Sequence, residues 1–448
     1  IGSMQMVLIA LSAMAGFTLG WLFSPNARKF RLITAAIVVG LGVLLGVGDA
    51  GPAGIGMTSI ISTIAFFVAL FYWIGALVRG FAKPPTTFGS AEWATLPYLE
   101  EHGVVGDTGI RLGRFGDHET AKPLHYASDR HLLTIAPTRS GKGVASIIPN
   151  LLTYGGSMLV IDPKGENAMI TAGQRVAMGQ SVLVVDPWGI TGAQDIARFN
   201  PLDWLVQGDV DITENAMLLA DALVVPSGGQ DSFWDEEAKA LLQGIILYVA
   251  TDEREEGYRH LGGVRDLLLL DGDDTKALFE RMLDSHHHIV ISTGARCLQK
   301  EEKLLANVMA SAQAQTHFLD SARIRESLSA SDFKFEDLKT QAMTVYLVLP
   351  SDRLNAFSRW LRLLIQQAIT VNARNIAVKP TKPVLFLLDE MPALGRLSMV
   401  EQAFGLMAGF GIQLWGIVQD VGQLKRIYGD GWETFIGNSG MIQYFGSR

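Results

Sequence analysis

Lys142 stands in the string "APTRSGKGVASIIPNLL", Ala136 to Leu152, and the run "VLFLLDE", Val384 to Glu390, ends on two carboxylates. Residues of these types do phosphate chemistry. A phosphate-binding loop reads G-x-x-x-x-G-K-[ST], and here Ala136 takes the first place while Gly143, without a hydroxyl for a magnesium ion, takes the last. A strand ending at Ala136, a turn containing Gly141 and a helix starting near Lys142 would let backbone N–H groups and a helix N-terminus surround a phosphate. Lys142 would neutralise the β and γ phosphates of a nucleotide. At the end of an apolar strand, Asp389 is placed to sit beside magnesium and Glu390 to polarise an attacking water. The plainer reading of an Asp-Glu pair after a strand is a solvated turn, and the loop weighs against it. Gln419, ending another strand, is a candidate γ-phosphate sensor or simply a strand-end residue.

The elements that must hold these side chains are short continuous apolar runs: "HLLTIA" (His131 to Ala136), "SMLVID" (Ser157 to Asp162), "SVLVVD" (Ser181 to Asp186), "MTVYLVLP" (Met343 to Pro350), "VLFLLDE" and "IQLWGIVQD" (Ile412 to Asp420). Runs of this kind suit a parallel sheet covered on both faces. Between Gly257 and Phe335 the strands stop and helical periodicity takes over, so residues 257–335 read as an all-α domain inserted into one α/β core made of 84–256 and 336–448. Ahead of that core, residues 1–83 hold three charge-free runs, Met4 to Phe23, Leu32 to Gly48 and Met57 to Val78, of 20, 17 and 22 residues. Each approaches the length that spans a bilayer. Arg28, Lys29 and Arg31 follow the first run, and Arg79 and Lys83 follow the third. The positive-inside rule therefore predicts three spans, an external amino terminus and a cytoplasmic main body. A two-span arrangement, with the middle run dipping into the membrane, is the alternative.

Charge and cysteine usage narrow the class. Residues 1–83 carry five basic residues and one acidic residue, which leaves 32 of the 37 Lys and Arg against 44 of the 45 Asp and Glu for the rest. A protein that coats DNA without specificity should not be this acidic. The single cysteine, Cys297, allows no intrachain disulfide and suits a reducing compartment.

Several motifs together carry a resemblance. "APTRSGKGVASIIPNLL", "IDPKGEN" (Ile161 to Asn167), "FNPLDW" (Phe199 to Trp204), "FWDEEAKALLQGIILYV" (Phe233 to Val249), "LLDEMPALG" (Leu387 to Gly395) and "GIVQDVGQLKRIYG" (Gly416 to Gly429) resemble, in order, the TraG-type coupling ATPases of type IV secretion. "FGSAEWA", Phe88 to Ala94, resembles the family's juxtamembrane strand. The resemblance implies an α/β fold with a RecA-like P-loop ATPase core, an inserted all-α substrate-recognition domain, and a membrane-embedded homo-hexamer of the bacterial inner membrane. It implies ATP and Mg2+ as ligands. Thr138, Arg139, Ser140, Gly141, Lys142 and Gly143 would bind phosphate, Asp389 would position magnesium, Glu390 would be the base and Gln419 the sensor. Ala136 and Gly143 are then ordinary variants of the loop. Implied partners are a relaxase or effector protein, single-stranded DNA in the pore and inner-membrane components of the secretion system. Three spans depart from the family's usual two. After Met441 to Arg448, which reads as a core strand, the family continues with more helix and sheet.

Other residues stay open. Asp162 and Lys164 belong to a family hallmark, although an Asp before Pro also caps a turn. Arg139, Arg396 and Arg426 are candidates for an arginine acting across a subunit boundary. His286, His287 and His288 read as a solvated face, because adjacent helical residues cannot all face one metal. Trp93, Trp188, Trp204, Trp234 and Trp415 read as packing residues, and Cys297 as inert. Three functions remain in view: an ATP-driven translocase feeding a secretion channel, a non-hydrolysing membrane docking receptor, and a membrane-tethered DNA pump of the chromosome-segregation type, which lacks these motifs.

Overall fold

The computed structural model describes residues 3–23, 52–81, 93–117, 119–226 and 232–446. They fall into two units, Ile1–Ala94 and Thr95–Arg448. In the first, helices α1 (Ser3–Phe23) and α2 (Pro52–Phe81) pack together. Gly16 and Gly20 lie one turn apart on α1. A Cβ at either would overlap the carbonyl oxygen of Val68 or Tyr72 on α2, so only glycine permits this approach. Among the described residues no helix is long and apolar enough to cross a membrane, so the spans expected at Met4 to Phe23 and Met57 to Val78 are not found in α1 and α2. The run from Leu32 to Gly48, the Pro84-Pro85 linker and most of "FGSAEWA" lie outside the described residues. Trp93 does not behave as a packing residue, being 99% exposed.

The second unit opens with helix α3 (Leu96–Glu101) and an antiparallel hairpin of β1 (Ile110–Phe115) and β2 (Lys122–Tyr126). Seven strands then form one sheet: β3 (Leu132–Ile135), β4 (Met158–Asp162), β5 (Ser181–Val185), β6 (Met343–Val348), β7 (Val384–Leu388), β8 (Ile412–Val418) and β9 (Met441–Tyr444). Their spatial order is β5-β6-β4-β7-β8-β3-β9, and every pair is parallel. Parallel strands need crossovers, and these are helical. A π-helical turn, Gly143–Ile147, runs into α4 (Ile148–Thr153) after β3, and α5 (Glu166–Ala177) follows β4.

No strand among the described residues lies between β5 and β6. That interval holds α6 (Ile212–Leu223), α7 (Ser232–Thr251), α8 (Leu261–Leu268), α9 (Gly272–Met282), α10 (His288–Gln299), α11 (Glu302–Thr316), α12 (Ala322–Ser327) and α13 (Asp337–Thr340). Helix α14 (Leu354–Arg374) joins β6 to β7, α15 (Ser398–Leu406) joins β7 to β8, and α16 (Val421–Tyr428) with α17 (Trp432–Asn438) leads into β9.

Alternation along each strand feeds two cores. Leu159, Ile161, Val345, Leu347, Phe386 and Leu388 enter a large cluster shared with α6, α7, α14 and the helices through α12. Met158, Val160, Tyr346, Val348, Leu385 and Leu387 enter a smaller cluster on the other face with Ile147, Leu151, Ala168 and Ile110. Both faces are therefore dry, which is why these strands read as unbroken apolar runs. The helices of 257–335 share the larger cluster with the sheet, reaching it through α7, where a Cβ at Gly244 would collide with Thr293 of α10.

His131 locks the start of β3 in place. Its Nε2 lies 2.8 Å from the Ala403 carbonyl and its Nδ1 accepts from Leu414 N–H at 3.0 Å, so the ring is neutral with the proton on Nε2. The residue is fully buried, and burial pushes its pKa from 6.5 down to about 4. A folded-state value below the unfolded one means stability that is present above pH 6.5 and lost as pH falls towards 4. The buried Asp162 carboxyl, pushed up to about 6, has the opposite slope over part of that window. A His131→Gln variant isolates the imidazole. Its stability deficit relative to wild type should shrink by about 2 to 3 kcal/mol between about pH 7 and pH 4.5. Urea unfolding at both values measures this, and a deficit independent of pH would show that the ring is not desolvated.

Candidate nucleotide site

The carboxyl ends of β3, β4, β6, β7 and β8 converge on one cavity of about 580 Å³. In an open parallel sheet this edge is where ligands bind. Thr138, Arg139, Ser140, Gly141, Lys142 and Gly143 line it from the loop after β3, Asp389 and Glu390 from the end of β7, and Gln419 from the end of β8. All nine residues singled out in the sequence are thus brought together.

The loop's shape follows from its glycine and from Pro149. Gly141 has φ +87°, a conformation glycine adopts without steric cost. The first-turn N–H groups of the helix that follows have no intrahelical acceptor. Ile148 N–H reaches back five residues to the Gly143 carbonyl, and this wider turn gives the ring of Pro149 room against the preceding turn. A Cβ at Gly143 would meet nothing within 4 Å, so sterics do not dictate the missing hydroxyl.

Lys142 Nζ lies 2.8 Å from Asp389 Oδ1 and 3.8 Å from Glu390 Oε2. Gln419 Nε2 donates to Glu390 Oε1 at 2.7 Å, so Gln419 here holds the carboxylate. Arg139 and Glu390, at φ +62° and +64°, are the two non-glycine residues with positive φ among those described. Each left-handed residue costs on the order of 1–3 kcal/mol, and such strain gathers where a side chain must be aimed. Both flank Lys142. Of the three candidate arginines, Arg139 lines the cavity; Arg396 and Arg426 do not.

Asp162, at the end of β4, is buried and accepts from Ala168 N–H at 2.9 Å and Lys164 N–H at 3.4 Å. It therefore caps the start of α5. Desolvation raises its pKa to about 6, and the Asp389 charge adds to the rise. Sequence reasoning missed Ser351, Asn167 and Leu354, which also line the cavity. Ser351 Oγ donates to the Pro163 carbonyl at 3.1 Å and so ties the end of β6 to the β4 turn. The signal was available, since Ser351 directly follows an apolar run ending "LVLP". Behind Glu390, the buried Arg362 of α14 donates to the carbonyls of Leu394 and Arg396 at 2.6 and 2.7 Å and to that of Ala222 at 3.1 Å. Burial lowers its pKa to about 10, which leaves it charged near neutrality.

The remaining candidates lie elsewhere. His287 caps α10, its Nδ1 accepting from Ile289 N–H at 3.3 Å, while Nε2 meets Thr213 Oγ1 at 3.3 Å. It is a packed cap rather than part of a solvated face. Cys297 is buried, and burial pushes its thiol up to about 11, which makes it unreactive.

Residues 100–448 match the family model described as type IV secretory system conjugative DNA transfer. The conjugal transfer protein TraG of Escherichia coli is 29% identical over 372 residues, covering 75% of this chain and 58% of the relative. The protein VirD4 of Rhizobium radiobacter is also 29% identical over 372 residues, covering 80% of this chain and 52% of the relative. The chain thus spans between half and six-tenths of the length of these curated relatives. Among solved structures, the plasmid coupling protein TrwB in complex with the non-hydrolysable ATP analogue ADPNP shares the fold, with TM-score 0.55, 16% identity and 70% of each chain covered. TrwB in complex with ADP and Mg2+ aligns with TM-score 0.53 and 16% identity over 69% of this chain and 68% of that one.

The capping role of Asp162 is open to direct measurement. Asp162→Ala removes the acceptor for two backbone N–H groups and should cost about 1–2 kcal/mol, whereas Asp162→Asn keeps an acceptor and should cost only a few tenths. Thermal melts of the three proteins decide it; equal losses for Ala and Asn would make the charge, and not the cap, the important feature.

Proposed function

The chain belongs to the type IV secretory system conjugative DNA transfer family, and from that premise we propose that it is a membrane-anchored coupling ATPase that delivers substrate to a secretion channel. One observation carries this reading. The loop lysine and the paired carboxylates, distant in sequence, meet at 2.8 Å beside a cavity at the carboxyl edge of the sheet. The ligand that fits is a nucleoside triphosphate with magnesium, as in the TrwB complexes with ADPNP and with ADP and Mg2+.

Lys142, now paired with Asp389, would exchange that carboxylate for phosphate oxygens, aided by the first-turn N–H groups and by the unpartnered buried hydroxyl of Ser140. Asp389 would hold the magnesium ion with waters, since Gly143 offers no hydroxyl. The ion supplies charge neutralisation at the phosphates. Glu390, aimed by its left-handed backbone and held by Gln419, would take the proton of the attacking water. A RecA-like hexamer, with an arginine supplied across the subunit boundary, is the assembly we assign to it. Arg139 is the candidate of the three that already faces the cavity.

Membrane anchoring rests on the three charge-free runs and on the Gly16 and Gly20 contact with α2, a packing of the kind small residues make in bilayers. On the sequence pattern we favour three spans in the bacterial inner membrane, with everything after Lys83 in the cytoplasm, although neither α1 nor α2 as described has the length and apolarity of a span. Residues 257–335 are then the substrate-selecting part, receiving a relaxase with attached single-stranded DNA or an effector protein.

Two outcomes test the proposal. Lys142→Ala should abolish ATP binding, whereas Glu390→Gln should bind ATP normally and lose turnover by about 10²- to 10⁴-fold. Steady-state ATP hydrolysis beside equilibrium nucleotide binding reads both. Wild-type turnover in Glu390→Gln would remove that residue as base, and a wild type that binds nucleotide without hydrolysing it would be a docking receptor. A reporter fused after Lys83 should be cytoplasmic, and an external reporter would overturn the three-span arrangement.

A further inference from the structure

The opposite edge of the sheet holds a second feature that the nucleotide chemistry does not use. Just before β4, β6 and β7 begin, residues Gly155 to Ser157, Leu338 to Ala342 and Pro380 to Lys382 enclose a pocket of about 300 Å³. No carboxylate lines it. The cavity beside His287 is lined by Asp252, Glu253 and Asp284 with Arg254, and the cavity at the β5 edge by Asp186, Asp195, Glu326 and Asp332 with Arg198 and Arg323, so carboxylates outnumber cations in both. In a chain of net charge −8, a cavity wall with lysines and no acid is a local reversal of sign.

We propose that this pocket, with Lys339 and Lys382 in its lining and Lys379 just beyond it, binds the phosphodiester backbone of a nucleic-acid strand. Lys339 is 5% exposed, and its Nζ donates to the carbonyls of Asn375 at 2.6 Å and Phe410 at 2.7 Å. Among the described residues, no carboxylate lies within ion-pair distance of Lys339, Lys379 or Lys382, nor of Lys276, Lys303, Lys334 or Lys425, whereas Lys122, Lys142, Lys164, Lys239 and Lys300 each have at least one; of the unpaired lysines, Lys339 is the buried one. A buried ammonium without a counter-charge favours an incoming anion. Burial, with the Lys379 charge beside it, already lowers the pKa of Lys339. Lys382 is exposed, with its Nζ 5.9 Å from the centroid of the Tyr154 ring. It lies against Gly155, where no side chain intervenes, and among the described residues the N–H groups of Gly155 and Gly156 donate no backbone hydrogen bond. The hydroxyls of Thr340 and Thr381 are exposed at the same mouth. Ammonium groups, hydroxyls and open backbone N–H groups are the donor set that holds phosphates without reading bases. Lys379, outside the pocket lining and exposed, extends the positive track beyond one phosphate, which suits a polymer.

The inference rests on the reading of the chain as one that handles DNA, but the two sites lie at opposite ends of five-residue strands, roughly 16 Å apart. They can therefore be tested separately. The full-length protein would be titrated with a fluorescent oligothymidine at several salt concentrations, as wild type, as Lys379→Glu with Lys382→Glu, and as Lys379→Arg with Lys382→Arg. The Glu pair should weaken DNA binding at least about tenfold and lower the salt slope by about 1 for each phosphate that is no longer neutralised. The Arg pair should stay within about twofold of wild type. Nucleotide affinity without DNA, reporting the other edge, should match wild type throughout. Unchanged DNA affinity and slope in the Glu pair would overturn the inference, as would a wild type that binds no DNA. Loss of thermal protection by inorganic phosphate in the Glu pair, with DNA binding intact, would identify a free-phosphate site and also overturn it. DNA binding that depends on these lysines in a protein without ATP turnover would leave the inference standing and remove the ATPase reading.

Discussion

The bond between Lys142 and Asp389 depends on the order of strands in the sheet. β3 and β7 both flank β8, in register through Leu132 with Trp415 and through Val384 with Ile412, and both run in the same direction. Their carboxyl ends therefore emerge at one edge with a single strand between them. A lysine that begins a helix after β3 can then span the width of β8 and reach a carboxylate that ends β7. A slip of one residue in either pairing would turn alternate side chains to the opposite face and mix the two cores, so the dry interior on each side protects the site's geometry. The functional contact is in this sense a consequence of apolar packing far from it.

Charge inside this protein is managed through backbone carbonyls and N–H groups as much as through ion pairs. Arg175 is fully buried and donates to the carbonyls of Leu151, Tyr154 and Gly156, to Thr344 Oγ1 and to Gln180 Oε1. It therefore holds the far end of the helix that the phosphate loop begins. Arg362 does the same for the turn after Glu390 and joins it to the last turn of α6. Carbonyl dipoles satisfy these two guanidinium groups without bringing a carboxylate beside them in the core.

The strands, the loop and the paired carboxylates were legible in the sequence because each is a local pattern: an apolar run, a glycine beside a lysine, an acid at a strand's end. The hairpin of β1 and β2 was not. Its strands are short and half-exposed, rich in charge, and broken by a register shift between Arg111 and Gly113, so they have no clean alternation. The helical interval also begins earlier than the helical periodicity from Gly257 suggests, because α6 and α7 are buried on the sheet and look as apolar as strands. Ser351 is marked by the apolar run it follows, but that it meets Asn167 at one cavity comes only from the convergence of separate strand ends. Arg175 and Arg362 count as surface charge in any composition argument; only three-dimensional packing shows them enclosed.

The acidic balance of the chain argues against a protein that coats DNA without specificity, but it does not exclude the local track proposed for a single strand. Net charge sets the distant field, but a strand of phosphates within a Debye length, about 8 Å at physiological ionic strength, responds to the charges lining its path. The cavities beside His287 and at the β5 edge, where carboxylates outnumber arginines, would repel such a strand, and the proposed lysine pocket below β4, β6 and β7 would attract it. Repulsion elsewhere makes a single attractive track more selective, because the strand has fewer competing places to rest. The same β4 and β7 that start at the lysine pocket end at Asp162 and Asp389. A five-residue strand buried on both faces is stiff, so a displacement at one of its ends has little means of dissipating before the other. The cavity at the carboxyl edge and the pocket proposed at the amino edge therefore share the same two strands as their support.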